Sequence, residues 1–260
     1  MPNVDARLSA LAATPRLLVA VDFDGTVSPL HDEPMKARML PEARAALSEL
    51  AALPDTVVAL VSGRSLTDLR IIAEHSDASP LLLAGSHGAE HWEPGEGAIE
   101  PQEDPADVAL RDRLFAASEA AVAEYPGVWI EPKTFGFAVH TRTAEDASAR
   151  AAANAAVDEI LAAQAPTWRR RTGQNIVEFA FRHEGKDSAI AALRERTAAT
   201  AVLFAGDDVT DEDALRSLTA GDLGVHVGDN ETAAAVSVPD IPAFAALLGE
   251  LARLRAARPE

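Results

Sequence analysis

The chain has 260 residues, of which 48% are hydrophobic, no cysteine, and a net charge of −18 at pH 7. This length predicts one large domain or a core with a smaller insert, and the missing cysteines exclude disulfides and zinc–thiolate sites. The charge argues against nucleic acid or an anionic membrane as a partner, because both would repel the protein.

Neither a membrane span nor a signal peptide is predicted. No apolar run approaches the roughly 18 residues of a membrane-spanning helix. The amino terminus also lacks a basic region followed by an apolar one. Together with the absence of cysteine, these features favour a protein of the reducing cytoplasm.

The first hundred residues alternate short apolar strands with helices. Strands are predicted over 17–22, 56–61 and 80–84, and helices over 41–53 and 65–75. The strands are rich in valine and leucine on both faces, which is typical of parallel strands covered by helices on both sides. This part of the chain therefore predicts an α/β fold.

A different pattern follows. Segment 93–105 is rich in proline, glycine and acids, and it predicts a linker or exposed hairpin at a domain boundary. Beyond it, a helix followed by two strands occurs twice, which indicates a small α+β insert. The first pattern resumes after Lys186. We therefore predict a catalytic core of residues 1–102 and 184–260, interrupted by an inserted domain of residues 103–183.

The strongest chemical signal comes directly after the first predicted strand, where residues 22–26 read D-F-D-G-T. Open parallel sheets bind their ligands at the carboxyl ends of strands. Asp22 is the candidate nucleophile that forms an aspartyl-phosphate. Asp24 is the candidate acid that protonates the leaving oxygen and then activates water. Aspartate and glycine are also common where an ordinary strand enters a turn.

Two further positions supply groups for an anion. Ser62, Gly63 and Arg64 follow the second strand at a helix amino terminus, where a hydroxyl and backbone amides favour phosphate. Lys186 precedes a helix and could hold phosphoryl oxygens while balancing the acids. Taken alone, the Ser-Gly pair is also common in ordinary turns, and a lysine at the start of a helix is usually exposed to solvent.

The last signal follows the predicted strand over 201–205, where residues 206–212 read G-D-D-V-T-D-E. Acids this close repel one another unless a cation lies among them, and a hard divalent ion such as Mg²⁺ prefers oxygen ligands. The helix dipole alone could explain Asp211 and Glu212, but it explains Asp207 and Asp208 poorly. The predicted metal ligands are Asp22, Asp24, Asp207 and Asp211.

These motifs, in this order, resemble those of the haloacid dehalogenase-like phosphatases. The G-D-D-x-T-D-E motif is similar to that of trehalose-6-phosphate phosphatases, as are G-S-H-G-A-E at 85–90, E-P-K at 131–133 and A-V-H-T-R at 138–142. The resemblance spans roughly residues 17 to 230. It implies a Rossmann-like core, a cap that closes over the sugar, and a Mg²⁺-dependent phosphatase acting on trehalose 6-phosphate.

The candidate residues fall into two sets. The catalytic set is Asp22, Asp24, Ser62 and Lys186. The substrate-binding set consists of charged hydrogen-bonding side chains suited to phosphate and to a sugar covered in hydroxyls: Arg64, His87, Glu131, Lys133, His140, Arg142 and Glu178. For those in the insert, the alternative is cross-strand pairing on a small sheet.

The chain departs from the family at two places. Glu178 is followed by F-A-F, where the family usually has Glu-x-Arg-Pro, and Asp187 stands where glycine is favoured. Arg182 is a candidate for the missing basic group. Alternative functions therefore stay open: a phosphatase of another sugar phosphate or phosphorylated glycoside, a phosphomutase, and a non-catalytic sugar-phosphate sensor.

Overall fold

The computed structural model describes the chain in three stretches: 4–99, 101–173 and 175–258. The chain divides into two compact units. The first, which we call the core unit, comprises residues 1–100 and 184–260, and the second, the inserted unit, comprises residues 101–183. The sequence places the first boundary two residues later, after residue 102.

In chain order, the strands of the described residues are β1 (Leu17–Val21), β2 (Thr56–Val61), β3 (Leu82–Gly85), β4 (Glu90–Glu93), β5 (Gly97–Ile99), β6 (Trp129–Lys133), β7 (Gly136–His140), β8 (Arg169–Gly173), β9 (Ile176–Ala180), β10 (Ala201–Gly206), β11 (Leu223–Val227) and β12 (Val236–Val238). The α-helices are α1 (Val4–Ala12), α2 (Pro41–Ala51), α3 (Leu66–Ile72), α4 (Pro105–Val122), α5 (Ala147–Gln164), α6 (Lys186–Thr197), α7 (Glu212–Ser217) and α8 (Ile241–Ala256).

The core unit is built on one eight-stranded sheet with the order β12–β11–β10–β1–β2–β3–β4–β5. Neighbours from β12 to β3 run parallel, and β4 and β5 add an antiparallel edge. Strand β1 lies in the interior of the sheet, where Leu17 is opposite Ala201 on one side and Thr56 on the other. The predicted α/β class is confirmed.

Alternate residues of β1 enter two different apolar clusters. Leu17, Val19 and Val21 pack in the larger cluster with residues of α1, α2 and α8. Leu18 and Ala20 face the smaller cluster with residues of α6 and α7. Burying each leucine or valine among them contributes roughly 1.5–3 kcal/mol. Helices on both faces therefore hold the strand that ends at Asp22.

The antiparallel edge is the main difference from the expected sheet. Segment 93–105 was predicted as a linker or exposed hairpin, and residues 93–99 do form a hairpin, in which residues 97–99 are β5 and pair with β4. Trp92, in β4, is only 1% exposed, so this hairpin is anchored in the core unit. The two strands have only four and three residues, so the sequence pattern does not resolve them as members of the sheet.

The inserted unit has a four-stranded antiparallel sheet with the order β6–β7–β9–β8. Side chains alternate between the faces of a strand. Phe137, Val139 and Phe179 pack in an apolar cluster with residues of α4 and α5. The positions between them carry charged or small residues and form the opposite face, which we call the polar face. Within the stretches described, no helix is both long and apolar enough to span a membrane.

Candidate active site

Lys186 joins two carboxylates at the edge of the core sheet. Its Nζ donates to Asp22 Oδ1 and to Asp211 Oδ1, each at 2.6 Å. Asp22 follows β1, Asp211 follows β10 by five residues, and Lys186 is the first residue of α6. Lys186 is 4% exposed and Asp211 is fully buried, so both ion pairs are shielded from water.

Asp207 completes a group of three acids with Asp22 and Asp211. One carboxylate oxygen from each lies within 4.8 Å of the other two. An all-oxygen set of this kind suits a hard divalent cation such as Mg²⁺. Asp211 Oδ2 already accepts the backbone N–H groups of Asp207 at 3.2 Å and Asp208 at 3.1 Å. Asp22 and Asp207 therefore have more capacity left for a cation than Asp211.

The charges of this group are out of balance. Burial raises the pKa of Asp22 well above its ordinary value; Lys186 opposes the shift, and Asp211 and Asp207 add to it. Burial, and then repulsion from Asp211, raise the pKa of Asp207 to about 7. Burial also opposes the charge of Lys186, but Asp211 and Asp22 outweigh it and raise the pKa of Lys186. Three carboxylates with one ammonium thus leave excess negative charge, which a bound divalent cation would offset.

Gly25 and Thr26 allow the acidic group to pack this tightly. Gly25 has a φ of +83°, and a Cβ at this position would lie 2.0 Å from Asp207 Oδ2. Only glycine accepts both the left-handed backbone and the close approach. The hydroxyl of buried Thr26 lies 3.2 Å from Asp207 Oδ1 and 3.5 Å from Asp22 Oδ2. These contacts account for the glycine and threonine that close the D-F-D-G-T motif.

Arg64 forms a bidentate ion pair with Asp24. Arg64 Nε donates to Asp24 Oδ2 and its Nη2 to Asp24 Oδ1, both at 2.6 Å. The two side chains are 18% and 24% exposed, and the bidentate geometry fixes the plane of the carboxylate. Arg64 was predicted as a phosphate contact and Asp24 as a metal ligand. In this structure they bind each other, and the Asp24 carboxylate is not among the three that lie together.

Ser62 and His87 lie on the neighbouring loops of the same edge. The hydroxyl of Ser62, which is 2% exposed, accepts the backbone N–H of Arg64 at 3.2 Å. The backbone N–H of His87 donates to the carbonyl oxygen of Ser62 at 2.9 Å. The His87 ring packs on Gly63, where a Cβ would lie 2.7 Å from it. The loops after β2 and β3 are therefore joined, and they hold Ser62 beside Arg64.

In the inserted unit, Glu131 binds two of the predicted sugar contacts. It lies 2.7 Å from Lys133 Nζ and 2.6 Å from His140 Nε2. Burial opposes the charge of Glu131, but hydrogen bonds from His140 and Lys133 lower its pKa to about 2. The His140 ring stacks on Trp129, with centroids 4.6 Å apart, and the Arg142 guanidinium lies 5.8 Å from the Trp129 ring centroid.

Glu178 has a basic partner from a neighbouring strand. Arg171 lies opposite it in the β8–β9 register, and its Nη1 is 3.0 Å from Glu178 Oε1. Arg182, the candidate for the missing basic group, lies over the Phe135 ring at 5.6 Å. Arg171 therefore supplies the cation beside Glu178.

Sequence reasoning missed Arg171 and Trp129. Both lie on the polar face, where register places Glu131 opposite Ala138, Ala138 opposite Glu178 and Glu178 opposite Arg171. The alternation of β6 could have indicated that Trp129 shares a face with Glu131. The pairing of Arg171 with Glu178 depends on strand order.

A family model described as Trehalose-phosphatase matches residues 20–240, which include Asp22, Lys186 and the G-D-D-V-T-D-E motif. The chain belongs to the trehalose-phosphatase family. The family predicted from the motifs is confirmed.

Two curated relatives and one solved structure illustrate the match. A protein of Mycobacterium ulcerans (strain Agy99) named "Trehalose-phosphate phosphatase" is 34% identical, over 92% of this chain and 62% of the relative. A Sinorhizobium fredii protein named "Probable trehalose-phosphate phosphatase" is 31% identical, over 90% and 86%. The chain therefore spans less than two thirds of the length of the Mycobacterium protein.

The solved structure is the C-terminal domain of a trehalose-6-phosphate phosphatase from C. albicans. It is 20% identical, superposes with a TM-score of 0.77, and the match covers 96% of this chain and 97% of that one. At this identity the likeness concerns the fold alone. Solved structures of haloacid dehalogenase-like enzymes share the fold as well, so the predicted fold class is confirmed.

Proposed function

We propose that this chain is a magnesium-dependent phosphatase that hydrolyses trehalose 6-phosphate to trehalose and phosphate. The observation that carries the proposal is the buried Lys186, held between Asp22 and Asp211 at 2.6 Å, with Asp207 completing the acidic group. The family supplies the substrate class. The inserted unit supplies charged and aromatic groups of the kind that bind sugars.

The first chemical step is transfer of the phosphoryl group to Asp22. Lys186 holds Asp22 Oδ1, which orients the carboxylate for attack by its other oxygen. An O–P bond forms to Asp22 while the ester O–P bond breaks, and Asp24 gives a proton to the leaving sugar oxygen. Because Arg64 occupies both oxygens of Asp24, the substrate has to compete with Arg64 for this carboxylate.

The second step consumes one water. The Asp24 carboxylate accepts a proton from water as the water oxygen attacks phosphorus, the bond from phosphorus to Asp22 breaks, and phosphate is released. Mg²⁺, when held by Asp22, Asp207 and Asp211, supplies positive charge for the acidic group and the phosphoryl oxygens. Ser62 and Lys186 are the protein groups proposed to bind those oxygens.

We expect Asp207→Ala to reduce phosphate release by about 10²-fold or more even at saturating Mg²⁺, because the cation loses one of its charged ligands. The measurement is phosphate release across a Mg²⁺ titration and in excess chelator. Asp213→Ala is the matched control, since Asp213 lies in α7 with a 61% exposed side chain. Full activity of the unmodified protein in excess chelator would refute the metal requirement.

We expect trehalose 6-phosphate to be hydrolysed with a kcat/KM about tenfold or more above that for glucose 6-phosphate. The core motifs bind only the phosphate group, which both substrates have, and the cation. The second glucose ring adds binding energy that can be used to position the phosphorus. Phosphate release from a panel of sugar phosphates with Mg²⁺ measures this and tests the proposed function.

Variants of the polar face test whether its side chains cause the preference for trehalose 6-phosphate. Glu178→Ala or Lys133→Ala should lower kcat/KM for the disaccharide far more than for p-nitrophenyl phosphate. Asp158→Ala is the control, because it removes a pair with Arg170, a half-exposed ion pair elsewhere in the inserted unit. If trehalose 6-phosphate is no better than glucose 6-phosphate, the substrate assignment fails and the general phosphatase survives.

A further inference from the structure

The G-S-H-G-A-E segment at residues 85–90 contains a carboxylate that the proposed chemistry does not use. Glu90 is the first residue of β4 and lies opposite Gly85, the last residue of β3. Its Oε2 accepts the backbone N–H of Leu66 at 3.1 Å and also the hydroxyl of Ser86. One partly buried carboxylate oxygen therefore ties the first residue of α3 to the turn after β3.

The turn that Glu90 holds has an unfavourable backbone. Ser86 and His87 have φ values of +46° and +58°, in the left-handed region that residues other than glycine rarely adopt. Such a conformation persists when the surrounding contacts fix it. The Ser86 hydroxyl is fixed by Glu90, and a carboxylate is a stronger acceptor than a neutral group. Loss of this carboxylate therefore allows the turn to relax toward ordinary backbone angles.

The same turn holds the backbone of Arg64. The backbone N–H of Ser86 donates to the Arg64 carbonyl oxygen at 2.6 Å. Two residues after Arg64, the N–H of Leu66 donates to Glu90. The Arg64 side chain in turn donates to both oxygens of Asp24 at 2.6 Å. A short path of hydrogen bonds therefore leads from Glu90 to Asp24.

We propose that Glu90 is a positioning residue, which sets the place of Asp24 by holding Arg64. A general acid or base acts only within hydrogen-bond reach of the atom it serves, and small misplacements of a reacting group slow catalysis strongly. Displacement of the Arg64 guanidinium would displace the carboxylate bound to it. The acid–base role of Asp24 rests on the proposed function, whereas the hydrogen-bond path from Glu90 does not.

Two esters distinguish this role from a general loss of structure. The sugar oxygen of trehalose 6-phosphate needs a proton from Asp24 as it leaves, whereas p-nitrophenyl phosphate releases a stable phenolate that needs none. We expect Glu90→Ala to lower kcat/KM at least about tenfold for trehalose 6-phosphate and less than about threefold for p-nitrophenyl phosphate. Because Asp24 also activates water, breakdown of the phosphoryl-Asp22 should become rate-limiting. A burst of about one p-nitrophenolate per protein should then precede steady turnover.

Glu90→Gln keeps an oxygen that can accept from Leu66 and Ser86, so it should restore most of the lost kcat/KM. The matched control is Glu93→Ala, which removes another partly buried carboxylate of β4, one that pairs with Arg196 of α6. It should change neither the ratio of the two kcat/KM values nor the burst. If Glu90→Ala fails to fold, Ser86→Ala keeps the bond from Leu66 and should lower kcat/KM for trehalose 6-phosphate about fivefold.

The NMR resonance of the Arg64 Nε–H reports the same hold without turnover. It should shift in Glu90→Ala, or in Ser86→Ala if that variant is used, and stay in place in Glu93→Ala. If the unmodified protein releases no phosphate from any ester, the proposed function fails, and this resonance still decides whether Glu90 holds Arg64. If only trehalose 6-phosphate is not a substrate, glucose 6-phosphate supplies the sugar oxygen as leaving group.

Two results would overturn the proposal. One is an equal loss for both esters without a burst, which is what a smaller folded fraction of Glu90→Ala would give. The other is an Arg64 Nε–H resonance that stays in place in the folded variant, whatever the change in turnover. Either would leave Glu90 as a residue that only stabilises the turn after β3.

Discussion

The Asp22→Asn variant is expected to lose about 10³-fold or more of kcat for phosphate release while remaining folded. An amide has no anionic oxygen to attack phosphorus, so no phosphoryl-enzyme forms. The fold should persist because Lys186 keeps its second partner, Asp211, at 2.6 Å. An asparagine oxygen can also accept from Lys186 in place of the carboxylate.

The measurement compares phosphate release with thermal unfolding of the same preparation. Asp213→Asn makes the same chemical change at a 61% exposed side chain and should retain activity. Binding of trehalose 6-phosphate to Asp22→Asn should survive at saturating Mg²⁺, since the asparagine carbonyl oxygen can still coordinate the cation and Asp207 and Asp211 are unchanged. Turnover within about tenfold of the unmodified protein would disprove the assignment of Asp22 as the nucleophile.

Lys186→Met is expected to damage both stability and activity. Methionine fills a similar length but leaves Asp22, Asp207 and Asp211 together without a cation. Removing one partner of a buried ion pair typically costs about 3–5 kcal/mol. The pKa of Lys186 is raised in the folded protein, so its contribution is fully present at any pH below the lysine pKa of the unfolded chain and is lost only above it.

The pH dependence gives this prediction a clear sign. Without Lys186, protonation of the acidic group lowers the free-energy cost of burying it in the folded protein. Burial already raises the pKa of Asp22 and of Asp207. The variant should therefore regain stability as the pH falls toward mildly acid values, and addition of Mg²⁺ should restore part of it.

Urea unfolding at mildly alkaline and mildly acid pH measures the effect on stability, and phosphate release measures the effect on activity. Lys36→Met is the matched control, because its side chain is 61% exposed and pairs only at the surface with Glu33. Such a pair contributes at most about 1 kcal/mol. A Lys186→Met protein that matches the unmodified one in urea midpoint and turnover would contradict the role given to this lysine.

Local sequence was sufficient for the sheet positions that carry the motifs. Strands β1, β2 and β10 are apolar runs buried by helices, and each is followed at once by a polar motif residue: Asp22, Ser62 or Asp207. A parallel sheet brings such strand ends to one edge, so the sequence alone predicts that the motifs lie together. The inserted helix–strand–strand repeats were also readable, because a long helical segment followed by two short strand-like runs occurs twice along the chain.

Partnerships between side chains required the tertiary structure. Arg64 binds Asp24 across 40 residues of chain, and Lys186 joins Asp22 to Asp211 across 164 and 25 residues. Arg171 stands beside Glu178 because β8 pairs with β9 in a particular register. Periodicity predicts which face of a strand a residue occupies, but it contains no information on the order of the strands.

The sequence by itself determined the α/β class, the two-part organisation and the candidate residues for phosphoryl transfer, because these depend on local patterns and on contiguous motifs. Only the tertiary structure decided the state of those residues. Asp22 and Asp211 are buried beside Lys186 and Asp207 is partly buried next to them, and this arrangement sets the charge of the acidic group. Desolvation and hydrogen bonding act between groups distant in sequence, so they become defined only when the strands have packed.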